Sequence, residues 1–390
     1  MAAPTTMMTV CGPIETSRVL PGGILAVQRL IQKATPIDAD EAIAPEDLMW
    51  LREYPFEKQN AMLVSEDKAF REIELLSAYN CNTIVDLHAP SERDPRRLRL
   101  LAERLGINIL TSTSIDSSMP TPTSDTTTVI ETLAQKLQLE LQFGIDDTSI
   151  QASVIYHVVD IRAVNALHWA AVAKAQQATC AAVYLDLVPF PASGYDAEVL
   201  ALLASYEGLR DRLVLCHCDL LPLPLLNQLA DLGVVLSFDL VGLDAVSDML
   251  PFPVLPKETL VPRDREIAML VQSLVARARV LVNSTVYFKT QYKRNGGGGY
   301  THIFSSFCRR ACMSPAEATK VLHATPLALL SGYVPPPAVE IPKAYIHCSI
   351  CRGAFEPIVG EYFTKFDFVY CSTKCLRKHR LAGFTKDIVQ

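Results

Sequence analysis

Over residues 8–330, short apolar runs alternate with amphipathic stretches. Eight runs read as strands: "MTVCG" (8–12), "NTIVDL" (82–87), "INIL" (107–110), "SVIYHV" (153–158), "AAVYLDL" (181–187), "RLVLC" (212–216), "GVVLSF" (233–238) and "RVLVN" (279–283). Brief, Val/Ile/Leu-rich runs of this kind suit strands buried on both faces. Between them lie "SEDKAFREIELLSAY" (65–79), "DPRRLRLLAERLG" (94–106), "VNALHWAAVAKAQQA" (164–178) and "REIAMLVQSLVARA" (265–278), which carry the helical period. Eight strands, most followed by a helix, predict a (β/α)8 barrel. A doubly wound open sheet would use fewer strands and carry a Gly-rich turn after the first, which is missing.

The last helix of this region starts at "SPAE" (314–317), with Ser as cap and Pro at the first helical position, and runs to about Leu330. "SSMPTPTSDTTT" (117–128) reads as a surface loop. Proline-rich "GYVPPPAVEIPK" (332–343) suits neither helix nor central strand and marks a boundary. The expected organisation is a barrel over 1–332, a linker over 333–343 and a small module over 344–390.

Composition narrows the class. The 390 residues are 49% hydrophobic and 20% charged, with a formal charge of −6 and pI near 5.8. That fits a globular chain without the overall basic field of a nucleic-acid binder. No apolar run reaches the ~18–20 residues of a spanning helix, and the first residues show no secretory signal. Seven of the eleven cysteines are scattered through the body. They read as reduced thiols of a cytoplasmic protein.

The other four form a pattern. Cys348 and Cys351 are followed, after nineteen residues, by Cys371 and Cys375. Two close pairs supply four thiolates for tetrahedral Zn2+, a closed and therefore structural site. The metal would supply folding energy that a tail of this length cannot draw from a core. The spacing, with "YCSTKC" as second knuckle, resembles TRASH-type zinc modules, which implies contacts with protein or RNA, or metal handling. A protein partner is expected, with RNA as the second candidate and no membrane. His347 and His379 flank the site as exposed or supporting residues, and the basic run Lys374, Arg377, Lys378, His379 and Arg380 reads either as a solvated helix face or as a contact for phosphate or an acidic partner.

"TVCGPI" (9–14), "NTIVDL…RDP" (82–95), "GIDDTSIQAS" (144–153), "LCHCD" (215–219), "LSFDLVG" (236–242) and "KTQYKRNGGGGYTHI" (289–303) together resemble phosphotriesterase-related proteins of the amidohydrolase superfamily. The resemblance spans residues 8–332 and implies a barrel with two metals that activate water. The family's His-x-His after the first strand falls on "LAVQRL", so Val27 and Arg29 replace two histidines. The bridging Lys or Glu falls on His157, the fifth-strand histidine on Asp186, and the carboxylate after the eighth strand on Thr285; only His217 is kept.

Two readings follow. In the preferred one, His217 is a relic in an inactive barrel, a scaffold for the zinc module, because Arg29 opposes a cation. In the other, His157, Asp186 and His217 converge from successive strands to hold a second, single metal, with Asp239 orienting a histidine, in a hydrolase of ester, lactone or phosphoester bonds. Lesser candidates read as structural. "GGGG" (296–299), with Lys289, Lys293 and Arg294 nearby, lacks a P-loop's Gly-Lys-Ser/Thr. His88 and Asp86 end a strand, and His168 lies in a helix. Cys216 and Cys218 are expected on the same side, opposite His217.

Overall fold

The computed structural model describes residues 6–31, 43–57, 66–115, 125–191, 195–252, 254–255, 259–331, 346–355, 363–365 and 368–384. Eight parallel strands form one sheet, neighbours following chain order: β1 (Gly23–Gln28), β2 (Cys81–Asp86), β3 (Asn108–Thr113), β4 (Val154–Asp160), β5 (Ala182–Val188), β6 (Leu213–Leu215), β7 (Val235–Phe238) and β8 (Val280–Val282). This is the expected (β/α)8 barrel. Side chains close its seam. Asn283 Oδ1, just past β8, accepts from the Ala26 and Val27 amides at 2.8 and 3.2 Å, and Thr285 Oγ1 donates to the Val27 carbonyl at 2.8 Å.

One strand assignment needs correction. "MTVCG" is not the first barrel strand. Thr6–Thr9 pairs antiparallel with Gly12–Glu15 in a hairpin outside the sheet. The first barrel strand is "GILAVQ". Its apolar pattern runs on into Leu30 and Ile31, so periodicity alone cannot separate strand from helix there.

Strand alternation sorts the core into two layers. Ile24, Val85, Leu110, Val154, Tyr156, Ala182, Tyr184, Val214, Cys216, Val235 and Leu281 fill the barrel interior. Leu25, Ile84, Ile109, Ile155, Val183, Leu185, Leu215, Leu236 and Val282 belong to the cluster beneath the helices. Local signals fix the helix ends. Asp94 accepts from the Arg97 amide at 3.1 Å ahead of Pro95–Leu105, and Gly106 ends that helix at φ +65°. Ser314 and Glu317 form the capping box of the last barrel helix, which reaches Leu330 through a wide turn at Lys320–Ala324. Among the described residues, no helix is long and apolar enough to cross a membrane.

The chain divides into Met1–Pro336 and Pro337–Gln390. The expected linker (333–343) and most of the 117–128 loop lie outside the described residues. The second unit has two short antiparallel hairpins, Ile346–His347 with Ala354–Phe355 and Phe363–Lys365 with Phe368–Tyr370, followed by a helix at Thr373–Leu381.

Candidate functional site

The C-terminal ends of the strands converge on a chain of charges. Arg29, one residue past β1, donates to Tyr156 Oη at 2.8 Å and lies 3.6 Å from Asp186 Oδ2. The Tyr156 hydroxyl, on β4, donates to Asp186 Oδ2 at 2.5 Å. Asp186, on β5, faces His217 Nε2 at 3.2 Å, and His217 Nδ1 lies 3.5 Å from Asp239 Oδ2. His217 sits at φ +55°, a left-handed conformation rare outside glycine, and its amide donates to Asp239 Oδ2 at 2.7 Å. Asp239 also accepts from Ser237 Oγ at 2.5 Å and Asn283 Nδ2 at 2.9 Å, while Asp219 accepts from the Asp239 and Leu240 amides. The Phe252 and Tyr287 rings pack on His217 at 4.9 and 6.2 Å.

The charges are set by this packing. Burial works to raise the Asp186 carboxyl, but His217, Arg29 and the Tyr156 hydrogen bond outweigh it and hold it down at about 2. Burial disfavours a charged His217, yet Asp186, Asp239 and Asp219 push it above its usual value. Burial pushes Asp239 and Asp219 up, and Asp219 is pushed further by the Asp239 charge. Tyr156 stays a neutral phenol because it is buried.

His157 is not part of this chain. It turns outward beneath the helices, with Trp169 at 6.3 Å and His168 at 6.4 Å between ring centres, and burial drives it down to about 3. The three-ligand set of His157, Asp186 and His217 therefore does not converge. The reason is a one-residue offset: β4 turns Val154 and Tyr156 inward, so Tyr156 stands where His157 was expected. Tyr156, Asp219 and Tyr287 escaped sequence reasoning. The period of β4, counted from Val154, would have located Tyr156.

Other expectations resolve as structure. Val27 packs in the interior and its carbonyl is held by Thr285, so these two replaced positions form part of the seam. Cys216 and Cys218 lie on opposite sides, not the same one, because β6 ends at Leu215 and the left-handed His217 breaks the alternation. The Cys218 thiol bonds the Leu215 carbonyl. Buried His88 lies 3.4 Å from Asp86 and 3.8 Å from Glu92. Beside the glycine run, the Lys293 and Arg294 amides donate to Glu72 at 2.8 and 3.2 Å, so a carboxylate already uses the donors a phosphate would need.

In the second unit, the sulfurs of Cys348, Cys351, Cys371 and Cys375 lie within 4.8 Å of one another. Cys351 Sγ is 3.6 Å and Cys375 Sγ 3.8 Å from Cys371 Sγ. Zn–S bonds of about 2.3 Å give a tetrahedral S···S edge of about 3.8 Å, so the set fits Zn2+. Local structure builds each pair. Arg352 at φ +57° turns the first knuckle, and Ser372 caps the helix that presents Cys375. His379 is fully buried, not exposed: its Nδ1 lies 2.9 Å from Tyr370 Oη, among the rings of Phe368, Tyr370 and Phe384.

Comparison with known proteins follows these two units. The phosphotriesterase family profile matches residues 6–327. The chain belongs to the phosphotriesterase family. A second profile, the Vms1-associating treble clef domain, matches residues 343–387, where the cysteine spacing had suggested a TRASH-type module. This phosphotriesterase-family chain is 26% identical to N-acetyltaurine hydrolase of Tetraodon nigroviridis over 82% of its own length and 96% of that protein. It is 26% identical to the Homo sapiens N-acetyltaurine hydrolase over 77% and 89%. A resiniferatoxin-binding protein from Rhodobacter sphaeroides shares its fold, with a TM-score of 0.68 at 23% identity over 83% of this chain and 94% of that one. The relatives' names point to a hydrolase and give no support to the preference for a non-catalytic chain.

The two-metal centre implied for the phosphotriesterase family does not fit this mouth. Val27 and Thr285 are committed to the seam, and Tyr156 is a buried phenol bonded to Asp186. Arg29 brings a permanent charge to within 3.6 Å of Asp186, one of the carboxylates a metal would need. Among the described residues, the four cysteines are the one group that brings three or more metal-type ligand atoms together.

Proposed function

We propose that this barrel has given up two-metal hydrolysis and serves as a scaffold carrying a zinc-stabilised module for binding a protein partner. The observation that carries the reading is the Arg29–Tyr156–Asp186–His217 chain at the strand ends. A fixed guanidinium does for Asp186 what a metal would do elsewhere, compensating a buried carboxylate. A structural Zn2+ on Cys348, Cys351, Cys371 and Cys375 is part of the proposal, supported by their sulfur spacing. So is a cytosolic setting, supported by the barrel's seven unpaired cysteines.

The relatives' names favour a second reading, hydrolysis of an N-acyl amino sulfonate or an ester-type bond, in which Asp186 and His217 act together. The Tetraodon nigroviridis and Homo sapiens proteins are matched over 96% and 89% of their length. The test is turnover of N-acetyltaurine, simple esters, lactones and phosphotriesters by the full-length protein, with metal analysis. The scaffold reading expects about one zinc per chain and no turnover. Turnover that His217→Ala abolishes, with the barrel still folded, establishes the hydrolase instead.

A further inference from the structure

The cysteine module has a charge unlike the rest of the chain. Residues 344–390 hold seven Lys and Arg against four Asp and Glu, a formal +3, whereas the remainder carries −9. Its helix, Thr373–Leu381, contains no acidic residue. Cys375 and His379, one turn apart, serve the metal cluster and the small core. Lys374, Arg377, Lys378 and Leu381 share another face, because spacings of three, four and seven stack on one side of a helix. All four are exposed, Leu381 to 80%. Among the described residues, none of the three cations pairs with a carboxylate. Beside them runs a groove of about 760 Å³ that includes Lys374, Leu376, Arg377, Arg380 and Leu381 in its lining.

We propose that this face binds an acidic segment of a partner protein, with an apolar side chain of that segment seated against Leu376 and Leu381. The proposal rests on the partner-binding reading above and specifies its surface. Charge complementarity selects the acidic partner and speeds the encounter. The exposed leucine selects protein over RNA. Single-stranded RNA is gripped by aromatic stacking platforms, and Phe368, Tyr370 and Phe384 are turned onto His379.

The test uses zinc-loaded full-length protein and three labelled probes: a Glu-rich peptide containing two leucines, the same peptide with serines in their place, and a uridine oligonucleotide. Fluorescence anisotropy should show tightest binding to the leucine-containing peptide, weakening with salt. Lys374→Gln/Arg377→Gln/Lys378→Gln should weaken it on the order of tenfold, from three lost exposed ion pairs. Leu381→Ser should bring the two peptides to similar affinity. Zinc content and circular dichroism show that each variant is folded. Equal affinity for the two peptides in the unmodified protein, tighter RNA binding, or indifference to the triple substitution overturns the proposal, as does no binding to any probe. These outcomes are independent of turnover at the barrel mouth, so this proposal and the scaffold reading fail separately.

Discussion

The barrel mouth and the cysteine module handle buried charge in opposite ways. The module brings four sulfurs within 4.8 Å of one another, a set suited to an ion that is not part of the chain. The mouth sets His217 against the Asp186 carboxylate and supplies its own cation in Arg29. It adds neutral donors at Tyr156, Ser237 and Asn283. A metal site is a property of the complete donor set. With a guanidinium at the mouth, the carboxylate and imidazole beside it find partners within the protein, and the network becomes part of the packing.

This contrast is sharpest under mutation. Cys348→Ser with Cys351→Ser should abolish zinc binding and unfold residues 344–390, since structural zinc contributes on the order of 10 kcal/mol to such modules. The barrel, with its own core, should keep its melting transition. Zinc analysis and limited proteolysis check this; a double variant that retains both zinc and a protected tail refutes the four-thiolate assignment. The corresponding strike at the mouth is Asp239→Ala. It strands the Ser237 hydroxyl and the His217 N–H and leaves the Asn283 amide only its 3.2 Å bond to Ser237 Oγ, all buried. Asn283 also closes the β1–β8 seam. A loss of about 3–5 kcal/mol is expected in urea unfolding of the barrel, with zinc content unchanged. A loss under about 1 kcal/mol means the network does not hold the mouth together.

The two regions also differed in how much of them the sequence made visible. The four cysteines are adjacent in pairs, so spacing alone exposed the ligand set. The barrel was visible through repeated short apolar runs, apart from β1, whose pattern continues into Leu30 and Ile31. The mouth is assembled from residues far apart in the chain, each oriented by strand phase, and a single-residue offset exchanges inside for outside. That is how His157 came to stand for Tyr156. The left-handed turn at His217 likewise has no signature in "LCHCD", because the residue is not glycine and the acceptor that holds its amide, Asp239, lies far along the chain.

The smallest effect separates His157 from the mouth it was expected to join. Its ring is neutral in the fold, driven down to about 3 by burial and then by His168. The unfolded chain takes up that proton near pH 6.5. A depressed folded value means the contribution is fully present above about pH 6.5 and is lost as pH falls toward about 3, reaching about 2 kcal/mol by pH 5. Asp186, held at about 2, follows the same sign in a lower window, losing its contribution only between about pH 4 and 2. His157→Phe keeps an aromatic ring against Trp169 and removes the titration. The stability difference between the variant and the unmodified barrel should therefore be nearly flat from pH 8 to 7 and grow in the variant's favour from about pH 6.5 to 5. Chemical unfolding across that range checks it. A difference that stays constant with pH would mean His157 takes up its proton at the same pH folded and unfolded, and so faces water rather than the apolar layer beneath the helices.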